Sequence, residues 1–221
     1  MSPEEGPDRN PGRLLAVNTS VTTRTFSITW DYRCPYARNA HEHVVAGLLA
    51  GADWDVMFVP FSLDQAHVAE GEPPVWDVPD RYPGLLATEA GIVVRDQYPE
   101  KFLSTHLALF SARHEHAIDT RKRDVLAGVL SDQGVDGGAV LQAIDDGWPL
   151  DVFRKEHEAV VADQHIFGVP TFLVDQQAVF VRLLSRPRGD AELASTTVER
   201  VLDLAGGWSD LNELKHTSVP R

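Results

Sequence analysis

Cysteine is almost missing from this chain: Cys34 is the single one in 221 residues. One thiol excludes an internal disulfide, a dithiol redox cycle within one chain and any cysteine-rich metal site, and leaves monothiol chemistry or plain burial. Basic residues are also scarce, 20 Lys and Arg against 33 Asp and Glu, for a formal charge of -13 at pH 7. That balance argues against neutralising a phosphate backbone or docking on anionic lipid, so neither nucleic acid nor a membrane is an expected partner. No apolar run reaches the roughly 18 residues of a membrane span, and residues 1–24 hold no apolar stretch behind a basic start. A cytoplasmic location is the expectation. Glycine-rich phosphate loops of the GxGxxG or GxxxxGK type do not occur, which removes support for nucleotide-dependent hydride or phosphoryl transfer. What is present is ordinary globular material, 43% hydrophobic and 24% charged, of a length that suits one compact domain with room for an inserted subdomain.

Residues 1–24, rich in Pro, Gly, Asn and Thr, show no apolar periodicity and read as a flexible lead-in. The alternating, β-branched and aromatic run over 25–30 predicts a strand, and Pro35 just after it suits the first turn of a helix over 36–50 with Ala40, Val44 and Leu48 on one face. A second strand is predicted over 54–60, making a β-α-β opening with a parallel pair. After a loop over 61–82, broken by Pro73-Pro74 and Pro79, almost everything to 164 reads as helix: 83–97, 99–116, 120–133, 137–145 and 150–163. Strand character returns over 171–174 and 178–182 about a turn at Asp175-Gln176-Gln177, and a last helix is predicted over 189–204. The expected partition is a flexible segment 1–24, a discontinuous α/β unit over 25–82 and 166–207, an all-helical insertion over 83–165, and a tail over 208–221.

Cys34 falls at the first strand-to-helix junction, in Cys34-Pro35-Tyr36-Ala37. The first N–H groups of a helix lack intrahelical acceptors and carry the positive end of its dipole, so a thiol there is favoured as thiolate. Thiol pKa values at such sites fall from about 8.5 to as low as about 3.5. The alternative is a small buried hydrophobe, as many lone cysteines are.

The order strand, Cys-Pro-Tyr-Ala, helix, strand, helical insert, Gly168-Val169-Pro170-Thr171, strand, strand, helix resembles the DsbA-like branch of the thioredoxin superfamily over 25–204. The resemblance implies an α/β thioredoxin-like fold with a central mixed sheet interrupted by an all-helical insertion. It implies that Cys34 is the attacking cysteine and that Pro170 is the loop proline that is cis in these folds. Pro35, Tyr36, Val169, Pro170 and Thr171 would then be substrate-binding residues, with the backbone of Val169 pairing with substrate. Ala37 departs from the pattern, since the family's resolving cysteine belongs there. A disulfide therefore cannot be stored between those positions, and a second thiol must come from another molecule. The runs Leu183-Leu184-Ser185-Arg186-Pro187-Arg188-Gly189 and Glu213-Leu214-Lys215 are also similar to the C-terminal part of mycothiol-dependent nitroreductases.

Other residues are weaker candidates. Asp31 reads as a solvated carboxylate at a strand end or, beside Cys34, as a proton shuttle or a negative charge that opposes thiolate formation. Tyr36 either flanks the thiol or packs on the insert. The pairs His41/His43 and His114/His116 lie at i and i+2, which does not give the i, i+4 ligand face of a helical zinc site, so surface histidines and no metal are expected. Arg113 and Arg121-Lys122-Arg123 read as a solvated helix start with local ion pairs. A minority reading has an insert arginine, Arg186 or Arg188 grip the carboxylate of a thiol cofactor.

Three functions compete. The first is a thiol oxidoreductase using Cys34 on a disulfide or electrophilic small molecule, with the adduct resolved by a low-molecular-weight thiol co-substrate such as mycothiol or glutathione and no tightly bound cofactor. The second resembles kappa-class glutathione transferases and hydroxychromene carboxylate isomerases, in which the bound thiol does the chemistry, or a mycothiol-dependent reductase. The third is a non-catalytic thioredoxin-fold binding module. Assembly as a homodimer is compatible with each.

Overall fold

The computed structural model describes residues 23–216; residues 1–22, which hold most of the expected lead-in, and 217–221 lie outside it. β1 (Arg24–Trp30) buries Phe26, Ile28 and Trp30 in alternation, and Thr29 as well, so its C-terminal end is covered on both faces. α1 (Pro35–Leu49) begins where Pro35 presets φ and lacks an N–H that a first turn would leave unpaired. Its buried Ala37, Ala40, His41, Val44 and Val45 form the inward stripe. β2 (Trp54–Pro60) runs parallel to β1, in register from Arg24 opposite Trp54 to Trp30 opposite Pro60.

The predicted loop that follows is partly ordered: a short helix, α2 (Leu63–Ala66), is capped by Ser62, and two 3-10 turns cover Val75–Asp77 and Pro79–Arg81. Helices α3 (Leu85–Gln97), α4 (Pro99–His114), α5 (Arg123–Asp132), α6 (Gly137–Asp145) and α7 (Trp148–Gln164) then form the helical insertion. The chain returns through β3 (Thr171–Val174) and β4 (Gln177–Phe180) and ends in α8 (Ala191–Gly207), started by Asp190, whose carboxylate accepts from Leu193 N. The sheet order is β2-β1-β3-β4; β3 is antiparallel to β1 and β4 to β3, which makes the sheet mixed, as expected. Among the described residues no helix is long and apolar enough to cross a membrane.

Two glycines allow close approaches that hold these parts together. A Cβ on Gly47 would sit 2.3 Å from the Trp54 ring, so the bare backbone lets that indole lie on α1 while its Nε1 donates to Glu199 of α8 across 2.6 Å. A Cβ on Gly91 of α3 would fall 2.5 Å from Tyr32 Oη. Insertion and sheet therefore meet tightly at Tyr32. Phe110 of α4, fully buried, fills the same contact against the rings of Tyr32, His41 and His106, and its truncation to alanine would cost about 3–5 kcal/mol.

Candidate active site

The junction after β1 places the thiol. Cys34 is the N-cap of α1, and Ala37 N donates to its Sγ across 3.4 Å. The S–H donates in turn to the carbonyl oxygen of Val169, also at 3.4 Å, although the two residues are 135 apart in sequence. The Val169–Pro170 peptide bond is cis. Thr171 fixes this loop to the sheet: its N–H donates to Thr29 Oγ1 at 2.9 Å and its hydroxyl to Gly168 O at 2.8 Å. Its side chain is buried, so Thr171 shapes the loop while Pro35 and Tyr36 reach the surface. Val181 N donates to Pro170 O at 3.0 Å, which carries the line of β4 past the loop.

Cys34 is only 8% exposed. Burial pushes its thiol upward; the N–H groups of Ala37 and Tyr36 pull it back, Asp31 pushes it further up and Arg182 pulls it down. Of the two readings of the sequence, a thiol lowered by the helix end or a small buried residue, this favours burial. Desolvation outweighs the helix terminus because the sulfur faces a carbonyl and apolar neighbours rather than water.

No protein-family model and no curated protein sequence matches the chain. Solved structures do match. The oxidoreductase NmDsbA1 from N. meningitidis superposes with a TM-score of 0.55 at 16% identity, over 85% of this chain and 86% of that one. The cytosolic disulfide reductase DsbM from Pseudomonas aeruginosa, solved with GSH, gives 0.56 at 15% identity over 81% of this chain and 100% of that one. A 2-hydroxychromene-2-carboxylate isomerase gives 0.56 at 13% identity over 84% and 100%. This chain has the DsbA-like thioredoxin fold. In that frame Ala37 is wholly buried beneath the sulfur, one turn into α1, and brings no second thiol.

Several sequence expectations change within the DsbA-like fold. Asp31 is not solvated: it is 3% exposed, accepts from Leu63 N and Arg33 N, and pairs with Arg33 at 3.0 Å. It thereby ties the end of β1 to α2. The surface expectation holds for His67, His116, His165 and His216, and His114 is half-buried, but His41, His43, His106 and His157 are buried. His106 and Tyr32 carried no sequence signal, yet they form a directed chain with His41. Thr29 O can only accept, so His41 donates to it through Nε2 (3.1 Å), leaving the neutral ring's Nδ1 to accept from His106 Nε2 (2.9 Å). His106 Nδ1 must then accept from Tyr32 Oη (2.8 Å). Burial drives both imidazoles downward, His41 to about 4, which keeps them neutral in these roles. Among the described residues no group of three or more His, Cys, Asp or Glu is arranged to hold a metal ion.

The basic candidates divide. Arg121 and Arg123 pair with Asp119 and Asp145 at the surface, as a solvated helix start should. Arg186 is held by Glu42 and Glu115 at 2.5 and 2.6 Å, so it is not free to grip a ligand carboxylate, and Arg188 is exposed at a positive φ. A hollow of about 540 Å³ beside Pro35 is lined by Arg33, Arg113, His114, Ile118 and Arg121. His114 Nε2 donates there to Tyr32 O at 2.9 Å, joining α4 to the residue two before Cys34. A larger hollow, about 720 Å³ between β2 and helices α3, α4 and α7, touches none of the predicted site residues.

Proposed function

We propose that the protein is a thiol oxidoreductase working with one cysteine. Cys34 thiolate attacks one sulfur of a small disulfide, a new S–S bond forms to Cys34, and the other half leaves as a thiolate. A low-molecular-weight thiol, mycothiol or glutathione, then attacks the adduct as its own thiolate, forms a disulfide with the trapped half and returns Cys34 as thiolate. The observation that carries this reading is the placement of Cys34 Sγ at the capped start of α1, 3.4 Å from Val169 O on the cis-proline loop. An extended group that reached the sulfur would replace the S–H as the donor to the Val169 carbonyl. Support also comes from the fold shared with oxidoreductases, one of them a cytosolic disulfide reductase solved with GSH. Ala37 makes the external thiol obligatory, and the thiol-rich cytoplasm is where such a co-substrate is available. The raised thiol has a kinetic consequence: the exchange rate climbs with pH through and beyond the range of an unfolded cysteine instead of levelling off near neutrality.

A second reading has one specific observation in its favour. A thiol kept protonated by burial can orient a bound thiol co-substrate that itself reacts, and the fold is shared with a 2-hydroxychromene-2-carboxylate isomerase. Thiol-dependent reduction of 2-hydroxyethyl disulfide, followed with mycothiol and with glutathione in wild type and Cys34→Ser, separates the two. The oxidoreductase reading predicts loss of essentially all turnover in the variant, and full retention refutes it.

A further inference from the structure

In this acidic chain the arginines near the site are mostly spent on carboxylates: Arg33 on Asp31 and Asp64, Arg38 on Glu42, Arg121 on Asp119, Arg186 on Glu42 and Glu115. Arg182, like Arg113 in the hollow beside Pro35, is different. Among the described residues it forms no ion pair; its guanidinium lies over the Tyr36 ring at 5.6 Å and the Phe180 ring at 5.8 Å. Tyr36 is in the first turn of α1, two residues after Cys34, and Phe180 ends β4 just before the bond from Val181 N to Pro170 O. The two rings thus hold the cation between the start of α1 and the proline loop, and its charge acts on the Cys34 sulfur in the sense that favours thiolate.

A guanidinium stacked on aromatic faces keeps its in-plane N–H fork free, and that fork matches a carboxylate. Phe167, 72% exposed, packs against Phe180 at 5.2 Å and supplies an apolar flank to the same mouth. With a net charge of -13 the protein as a whole repels anions, so an anionic reactant needs a local cation to dwell at the sulfur.

Resting on the monothiol reading above, we propose that Arg182 is a specificity-determining residue that receives the carboxylate of an anionic low-molecular-weight thiol, or of its disulfide, while its sulfur is engaged at Cys34. Glutathione belongs to that class. Mycothiol, which bears no carboxylate, gains nothing from Arg182.

The test is the rate of Cys34 alkylation in the native protein by iodoacetate and by iodoacetamide, reagents of nearly equal size that differ by one charge. Both attack the same thiolate, so their rate ratio cancels any change in the thiolate fraction and reports anion preference alone. Arg182→Gln is expected to lower the iodoacetate-to-iodoacetamide ratio about five- to tenfold, the effect of removing one unit charge several ångströms away at a partly screened site. Arg182→Lys keeps most of the ratio, and added salt compresses it in the wild type. A ratio unchanged or increased in Arg182→Gln overturns the inference and leaves the monothiol reading standing, because Cys34 has then reacted. A native Cys34 that reacts with neither reagent, while both label the urea-unfolded chain, overturns the monothiol reading and this inference with it.

Discussion

The hydroxyl of Tyr32 donates to Nδ1 of His106 across 2.8 Å, joining the loop that carries Cys34 to α4 of the insertion. Both groups are fully buried, and His106 Nδ1 has no proton of its own in the tautomer that the chain to Thr29 requires. Tyr32→Phe keeps the ring contact with Phe110 but leaves a buried acceptor unpartnered. The expected cost is about 1–3 kcal/mol in urea unfolding, and a loss well under about 1 kcal/mol would mean that the chain contributes little.

The buried histidines make the fold acid-sensitive. His41 and His157 are lowered by burial from 6.5 to about 4, and His106 is lowered well below its usual range. Unfolding lets each ring take up a proton, so their stabilising contribution is complete above about pH 6.5 and is lost as pH falls toward 4. The drop is worth about 3 kcal/mol for each of His41 and His157, which together is comparable with the whole stability of a typical domain. Urea midpoints measured from pH 7.5 to 5 should therefore decline; a flat profile would contradict the neutral buried rings.

Glu89 works in the opposite direction. Burial raises its carboxyl from 4.5 to about 7, with Arg123 drawing it partly back. A raised acid favours the fold fully below about 4.5, and that contribution is lost as pH rises through 7. Glu89→Gln should be close to neutral at pH 5 and stabilising by up to about 3 kcal/mol at pH 8, as read by paired urea titrations. Equal effects at both pH values would show that packing, not charge, governs the position.

Ala37→Cys restores a second thiol one turn into α1. The site is wholly buried, so the added sulfur is expected to cost about 1–3 kcal/mol through overpacking. Treated with glutathione disulfide, the variant should close an internal disulfide and release both glutathione halves, whereas the single-cysteine protein stops at the glutathione adduct. Intact mass distinguishes the two products. An adduct that persists in the variant would mean that the two sulfurs cannot meet in this packing.

The frame of the molecule was legible because periodicity is local. The alternation over 25–30, Pro35 at the helix start and the Gly and Pro punctuation of the insertion located strands and helices close to their observed bounds. Starts slip by two or three residues: the last helix begins at Ala191 and not 189, capped by Asp190, α5 at Arg123 and not 120, and α7 at Trp148 and not 150; α2, only four residues long, is too short for a periodic signal. The proline loop and the cysteine junction were readable as motifs. Asp31, His41 and His43 are buried where the sequence suggests exposure, because their surroundings arrive from far along the chain. Leu63 reaches Asp31 from 32 residues away, and His106 meets His41 and Tyr32 from 65 and 74 away. The same applies to the thiol, whose helix position predicts activation while its burial under the Val169 loop opposes it.

The central claim is that Cys34 exchanges with a small disulfide and is freed by an external thiol. The most direct measurement is intact mass of the native protein during exposure to glutathione disulfide across pH 6 to 10, followed by addition of excess glutathione or mycothiol. One adduct is expected, located at Cys34, forming faster as pH rises past the midpoint of the urea-unfolded chain and removed by the added thiol with recovery of the free cysteine. A native protein that remains unmodified while the unfolded chain is labelled, or an adduct that no external thiol releases, would contradict it.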